Sequence, residues 1–321
     1  MQRTLLTGLV LTAAVGCQST GTRLLSLVGL TREPTVIAAV VERPAGAVAV
    51  LNPFPRYGAL ERAYEADTGR PASVEPCFLF QAQLGLDSGW YHCALLSPAQ
   101  FVQLPNRDTL QVLAVARHAD GRVCQAAVLV VPADGDVDAV AELRGRSIAF
   151  GPRNDSLTHH AALHLLEQSG LARSDLALEL LPVPGTLRHL PDGRAVARAV
   201  LRGEVAAGFM TEAEWEGLPP DDGLDAADGA ASGPTRNDLR ILARTAALPR
   251  QLVVAPRRLS AERVREIRDF LLAAGQRHAD AVAALSCTGY ASATDELLAA
   301  CHALRVREPE EPPDSPSEPE E

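Results

Sequence analysis

Apolar residues in this chain fall alternately into short solid runs and into helical spacing. Thr35–Leu51 is rich in Val and Ala and is stopped by Asn52-Pro53-Phe54-Pro55, which predicts a strand closed by breakers. Arg56–Thr68 repeats its apolar positions at helical spacing (Tyr57, Leu60, Tyr64) and stops at Gly69. Ala72–Leu79 reads as a second strand, Gln81–Leu86 as a short helix, and Tyr91–Leu96 as an apolar strand ending at Ser97-Pro98. Two further strands are expected over Leu110–Arg117 and Gln125–Val131. Strands separated by helices point to parallel βαβ units and an α/β fold.

A second series follows. Val137–Leu143 reads as a short helix, and Ser147–Phe150 as a strand running into Gly151-Pro152. Ser156–Ser169 is a predicted helix, capped by Asp155 or Ser156 at its start and Gly170 at its end. Leu178–Pro182 and Val205–Met210 are predicted strands around a helix over Arg194–Arg202. Gly217–Asn237, rich in Gly, Asp, Ala and Pro, reads as a long surface loop. Strands over Leu239–Arg244 and Leu252–Ala255 lead to helices over Leu259–Ala274 and Thr294–Ala303.

Composition sharpens this picture at the two ends. The 321 residues, 47% apolar and 22% charged, suit one large domain or two lobes of about 100–150 residues. The net charge of −10 is concentrated in Glu308–Glu321, which has seven acids and no base. That Pro/Glu-rich tail is expected to stay disordered, because it has too little apolar surface to bury. All basic residues are Arg, with no Lys and no basic stripe, so nucleic-acid binding is excluded.

At the other end, Arg3 precedes the apolar run Leu5–Val15 and Ala14-Val15-Gly16-Cys17. A charged start, a short apolar stretch and small residues before a cleavage point describe an export signal, too short to span a bilayer. Ending it at a Cys resembles the lipobox of bacterial lipoproteins, although Ala14 stands where Leu is usual. Residues 1–17 are therefore expected to be a lipoprotein signal peptide, with Cys17 as the lipid attachment site. Gln18 and Ser19 lack the Asp of an inner-membrane retention signal, which points to the outer membrane.

Export permits disulfides among the remaining Cys77, Cys93, Cys124, Cys287 and Cys301, but five is odd. Cys287 with Cys301 is the candidate bridge, and Cys77 with Cys93 is a second possibility. No spacing resembles a zinc site. His160 and His164 lie i, i+4 on one helical face beside His159, yet two histidines without a suitably spaced carboxylate do not make a metal site. No Gly-x-Ser-x-Gly, His-Glu-x-x-His or phosphate loop with Lys is present, so neither enzyme nor cofactor is expected.

Four segments, in order, resemble one family. Glu142-Leu143-Arg144-Gly145-Arg146-Ser147-Ile148-Ala149-Phe150-Gly151 is similar to the "DLKGKxVAFG" segment of the phosphate/phosphite/phosphonate substrate-binding proteins of ABC importers. Gly89–Ala99 resembles their "G-x-x-D-x-A" strand and following loop, and Ala199–Phe209 their "AVxxGxVDAGF". Arg240–Arg244 through Pro249 to Val254 resembles the return strand into the first lobe. The resemblance covers about Thr35–Ala303.

It implies a bilobal type II periplasmic-binding fold with mixed sheets and a two-strand hinge. Lobe one would be residues 35–120 with 246–307, and lobe two residues 121–245. A small solute would be captured in an interlobe cleft and passed by a monomeric receptor to an ABC permease. The alternative is an orphan binding or sensory module without a transport partner. Ligands of such folds sit at strand C-termini and helix N-termini. That makes Tyr57, Ser97, Asn154, Asp155, Ser156, Thr158, His159, Thr211 and Glu212 the candidate ligand-binding residues. Four of them also have a plain structural reading: a core tyrosine at Tyr57, a helix cap at Ser97, a solvated helix start at Thr211 and Glu212.

The departures bear on the ligand. Phosphonate-binding members carry Ser-Thr-Ser-Gly-Tyr where this chain has Asp155-Ser156-Leu157-Thr158-His159, and their paired Asp positions are His92 and Ala206 here. A carboxylate at Asp155 opposes a phosphonate oxygen unless it turns to cap the helix. The resemblance implies a phosphate- or phosphonate-like oxyanion, while these departures point to a diverged pocket and a different, less anionic solute, so both ligand classes stay open.

Overall fold

The computed structural model describes residues 33–41, 54–179, 187–220 and 233–304. The leader with Cys17, the Asn52 end of the first loop and the acidic tail lie outside these residues. The chain divides into two compact units, each with its own sheet.

The first unit runs to Cys124 and resumes over Pro249–Thr294. Its strands are β1 (Thr35–Val40), β2 (Ala72–Cys77), β3 (Cys93–Leu96), β4 (Leu110–Ala116), β12 (Gln251–Pro256) and β13 (Tyr290–Ala291), in the order β13-β4-β12-β3-β1-β2. β1 pairs in parallel with β2 and β3, while β12 runs antiparallel to β3 and β4. The helices α1 (Phe54–Thr68), α2 (Leu79–Ser88) and α3 (Pro98–Gln103) follow β1, β2 and β3 in turn. Two more, α7 (Ala261–Arg277) and α8 (Ala279–Ala283), follow β12.

β1 and β3 are buried along nearly their whole length, as expected of strands covered on both faces, which is why they read as solid apolar runs. One polar network is built into this core. Tyr64 Oη donates to Glu266 Oε1 at 2.5 Å and accepts from Thr35 Oγ1 at 3.0 Å, while Arg263 and Arg70 pair with Glu266. Tying α1, β1 and α7 through a satisfied network fixes their register more than a bare apolar contact would.

The second unit is Gln125–Leu248 joined by the segment from Asp295. Its sheet is β10-β6-β9-β7-β8, from β6 (Ala127–Pro132), β7 (Ile148–Phe150), β8 (Arg188–His189), β9 (Ala207–Thr211) and β10 (Leu239–Arg244). β7 pairs in parallel with β8 and β9; β6 is antiparallel to both of its neighbours. Helix α4 (Ala162–Gln168) continues a π turn over Ser156–Ala161, and α5 (Gly193–Leu201) and α6 (Glu212–Glu216) flank β9. Gly208 in β9 lets α5 approach, since a Cβ there would sit 2.3 Å from Val196 Cγ1. The short strands β5 (Cys124–Gln125) and β11 (Leu248–Pro249) form a separate two-stranded sheet where the chain crosses between units.

The sequence-predicted elements are largely present, with mixed sheets as expected. Three differences stand out. Most of the expected strand Leu178–Pro182 lies outside the described residues, which include only Leu178 and the bridge residue Glu179, and the two-residue β8 was not foreseen. The crossings fall at 124/125 and 248/249, a few residues beyond the expected lobe boundaries. Helix α9 (Asp295–Ala303), expected in lobe one, belongs to the second unit, where Ala300 and Ala303 line a small cavity with His164, Leu165 and Gln168 of α4.

The cysteine expectation also needs correction. Cys287 and Cys301 are thiols in the structure, as are Cys77, Cys93 and Cys124. Cys287 Sγ donates to Val282 O at 3.3 Å in the first unit's core, whereas Cys301 is buried on α9 of the second unit. The chain changes units at residues 294/295, so Cys287 and Cys301 belong to different units.

Candidate ligand-binding loop of the second unit

β7 ends at Phe150, and the chain turns through Gly151 and a left-handed Asn154 (φ 67°) into the π turn. Gly151 is required by its neighbour: a Cβ there would lie 2.1 Å from Thr158 Oγ1. Asp155 caps the turn. Its Oδ1 accepts from Leu157 N at 3.0 Å, Thr158 N at 2.7 Å and Thr158 Oγ1 at 2.8 Å. One carboxylate oxygen thus takes the donors that a helix start otherwise offers to an anion, and its charge suits the positive end of the helix.

The backbone widens here because Asp155 O accepts from both His159 N (3.2 Å) and His160 N (3.0 Å). Such one-turn π bulges re-aim side chains and cluster at functional sites. Ser156 and Thr158 are buried, Asn154 is exposed and His159 is half-buried. His159 Nδ1 lies 2.9 Å from His189 Nε2, and His189 Nδ1 lies 2.9 Å from Leu187 O. Phe150 meets both rings at 6.0 Å between centroids, and His160 stands edge-on to His159 at 4.7 Å. Burial first, then repulsion from His160, His189, Arg153 and Arg173, pushes His159 down to about 3. Burial pushes His160 down to about 4 against the pull of Asp155, and it lowers His189 as well. The cluster is held neutral.

The remaining sequence candidates have structural partners of their own. Tyr57 lies in the first unit's apolar core at 8% exposure. Ser97 caps α3 through a reciprocal box, accepting from Gln100 N at 3.2 Å while Gln100 Oε1 takes Ser97 N at 2.8 Å. Thr211 caps α6 in the same manner with Glu214, whose other oxygen accepts from Gly193 N at 2.8 Å. Glu212 pairs with Arg244 and accepts from Ala126 N at 3.3 Å. His92, at the family's Asp position, accepts from Val36 N through Nδ1 at 3.1 Å.

Of the nine candidates, the five from Asn154 to His159 therefore share one loop, and the other four lie outside it, Thr211 and Glu212 together at the start of α6. Sequence reasoning missed His189, Arg153 and Arg173. His189 sits on a strand too short for a periodic signal, and only the β7–β8 register, Phe150 opposite His189, brings it to His159. Among the described residues no group of three or more His, Cys, Asp or Glu side chains could hold a metal, and no helix is long and apolar enough to cross a membrane.

Comparison with known proteins places the fold. Among solved structures, XAC2383 from Xanthomonas citri bound to ATP is 16% identical with a TM-score of 0.58, over 84% of this chain and 94% of that one. PhnD1 from Prochlorococcus marinus in complex with methylphosphonate is 15% identical with a TM-score of 0.51, over 82% and 94%. A TctC solute-binding protein from Polaromonas is 15% identical with a TM-score of 0.51, over 85% and 96%. These likenesses establish the type II periplasmic-binding fold. Comparison with curated proteins finds no matching relative. The family model for the ABC transporter, phosphonate, periplasmic substrate-binding protein matches residues 54–298, and the chain belongs to that family of periplasmic solute-binding proteins.

Proposed function

We propose that this chain is an exported receptor, held at the outer membrane by an acylated Cys17. In this reading a monomer collects a small solute for an ABC permease, without catalysing a reaction. We further propose that its solute carries less negative charge than a phosphonate. The observation that carries this is Asp155: its carboxylate already accepts from two backbone N–H groups and one hydroxyl at the start of the Ser156–Ala161 turn. An oxyanion arriving there would meet a like charge and donors already in use. Asn154, Ser156, Thr158 and His159 belong to the same loop and form the core of the proposed site; Tyr57, Ser97, Thr211 and Glu212 are secondary candidates.

A thermal-shift panel tests the reading with phosphate, phosphite, methylphosphonate, sulfonates, ATP and small neutral solutes. A solute that binds only the folded state at one hundred times its Kd stabilises by about 2.7 kcal/mol, a shift easily read. A neutral solute is expected to raise Tm and methylphosphonate to leave it unmoved, while Asp155→Ser gains a methylphosphonate response. A strong methylphosphonate shift in the wild type would sink the less-anionic assignment. No shift with any solute would count against a receptor altogether. For the anchor, Cys17→Ser is expected to move the protein from the membrane to the soluble envelope fraction.

A further inference from the structure

The histidine pair of the second unit has a hydrogen pattern that its neighbours dictate. A backbone carbonyl can only accept, so the 2.9 Å contact to Leu187 O places a hydrogen on His189 Nδ1. In neutral His189 the other nitrogen, Nε2, is then a bare acceptor. The 2.9 Å contact between it and His159 Nδ1 requires the hydrogen to come from His159. Neutral His159 therefore carries its hydrogen on Nδ1 and leaves Nε2 bare. That Nε2 has no hydrogen-bond partner among the described residues, and it is not one of the fully buried unpartnered nitrogens, a set that includes His160 Nε2 and His164 Nδ1. It is the acceptor this loop has left over.

We propose that the His189–His159 pair sets the hydrogen-bonding polarity of the site, so that the solute meets His159 Nε2 with a donor, a hydroxyl or an N–H, and not with a deprotonated oxyanion. The inference rests on the solute-binding reading above and narrows its ligand class. It also makes the pair a one-proton switch. A proton added to His159 puts a hydrogen on its Nε2 directly. A proton added to His189 makes His189 Nε2 the donor, which forces the His159 hydrogen from Nδ1 to Nε2. Either way one proton turns the exposed acceptor into a charged pair presenting a donor, the form that would suit an anion.

The surroundings resist that proton. Phe150 of β7 lies against both rings, and Arg153 from the loop and Arg173 from the short turn after α4 act on both as like charges. His160 adds to the repulsion on His159, while the nearby carboxylate of Asp155 acts on His160.

Two-bond ¹H–¹⁵N spectra of the ¹⁵N-labelled chain at pH 7.5 test the assignment without any ligand. Both His159 and His189 are expected to carry hydrogen on Nδ1, the tautomer disfavoured by free imidazole side chains in water. A hydrogen on Nε2 of His159 overturns the proposal. His189→Phe is expected to let His159 shift towards Nε2–H, and His189→Gln, which can still accept, to retain Nδ1–H.

The functional arm uses methanesulfonate, an anion with no hydrogen to donate. It is expected to leave the Tm of the wild type and His189→Gln unmoved at pH 7.5. His189→Glu should hold His159 doubly protonated, and methanesulfonate should then raise Tm by several degrees. Equal stabilisation of wild type and His189→Glu overturns the proposal. Correct tautomers with no response to any solute overturn the receptor reading alone. Reversed tautomers with a solute response intact overturn the polarity proposal alone.

Discussion

The loops after β3 and after β7 occupy matching places, each a strand end running into a helix start, and they satisfy that start in different ways. After β3, Ser97 and Gln100 exchange two hydrogen bonds and no net charge is involved. After β7, one carboxylate oxygen of Asp155 takes three donors, the turn widens into a π bulge, and a neutral histidine pair stands beside it. Both helix starts are closed by their own caps. Only the second pairs its cap with a half-buried titratable ring that keeps an unused nitrogen, so the two loops contribute differently to any solute they hold. In the proposed reading the first is a scaffold and the second meets the solute.

The contrast breaks most sharply at the glycine beneath the second loop. Gly151→Ala places a Cβ against Thr158 Oγ1 and is expected to destabilise by about 3 kcal/mol, measured by urea unfolding, because both groups are fixed. Removing the charged cap with Asp155→Ala should cost about 2 kcal/mol, at the upper end of cap substitutions, since three hydrogen bonds are lost. Ser97→Ala, which breaks a neutral box, should cost about 1 kcal/mol. If the last two prove equal, the distinction between the loops fails.

A smaller, pH-dependent effect sharpens the same comparison. His159 and His160 bind protons more weakly folded, at about 3 and about 4, than unfolded near the ordinary value of 6.5. Between these values the unfolded chain holds more protons, so stability is fullest above pH 6.5 and falls as the pH drops towards 4. Each ring contributes at most about 1.4 kcal/mol per pH unit. Chemical denaturation from pH 7.5 to 4.5 is expected to show this slope. His159→Phe should reduce it, leaving the share of His160, whereas Ser97→Ala should not.

Much of the fold was legible because buried strands here are solid apolar runs and helices carry clear stops. Thr35–Val40, Cys93–Leu96 and Ala127–Val131 announce themselves through burial on both faces. The candidate loop was legible in part: Asp155 to His159 stood out because they depart from a recognisable pattern at a helix start. The role of Asp155 as a cap was a foreseen alternative. Which of two options a carboxylate takes depends on where the Thr158 side chain and backbone lie, and spacing does not report that.

Sequence by itself therefore determined the α/β architecture, the family and the position of the second unit's loop, since each rests on local periodicity, breakers and short motifs. Tertiary structure decided the rest. It set Cys287 and Cys301 in different units, moved α9 to the second unit, and placed Tyr57 in the core. It also brought His189 beside His159 across 30 residues through parallel β7–β8 pairing. Hydrogen-bond direction in that pair follows from a carbonyl 2.9 Å away, and such a distance exists only once the strands have paired.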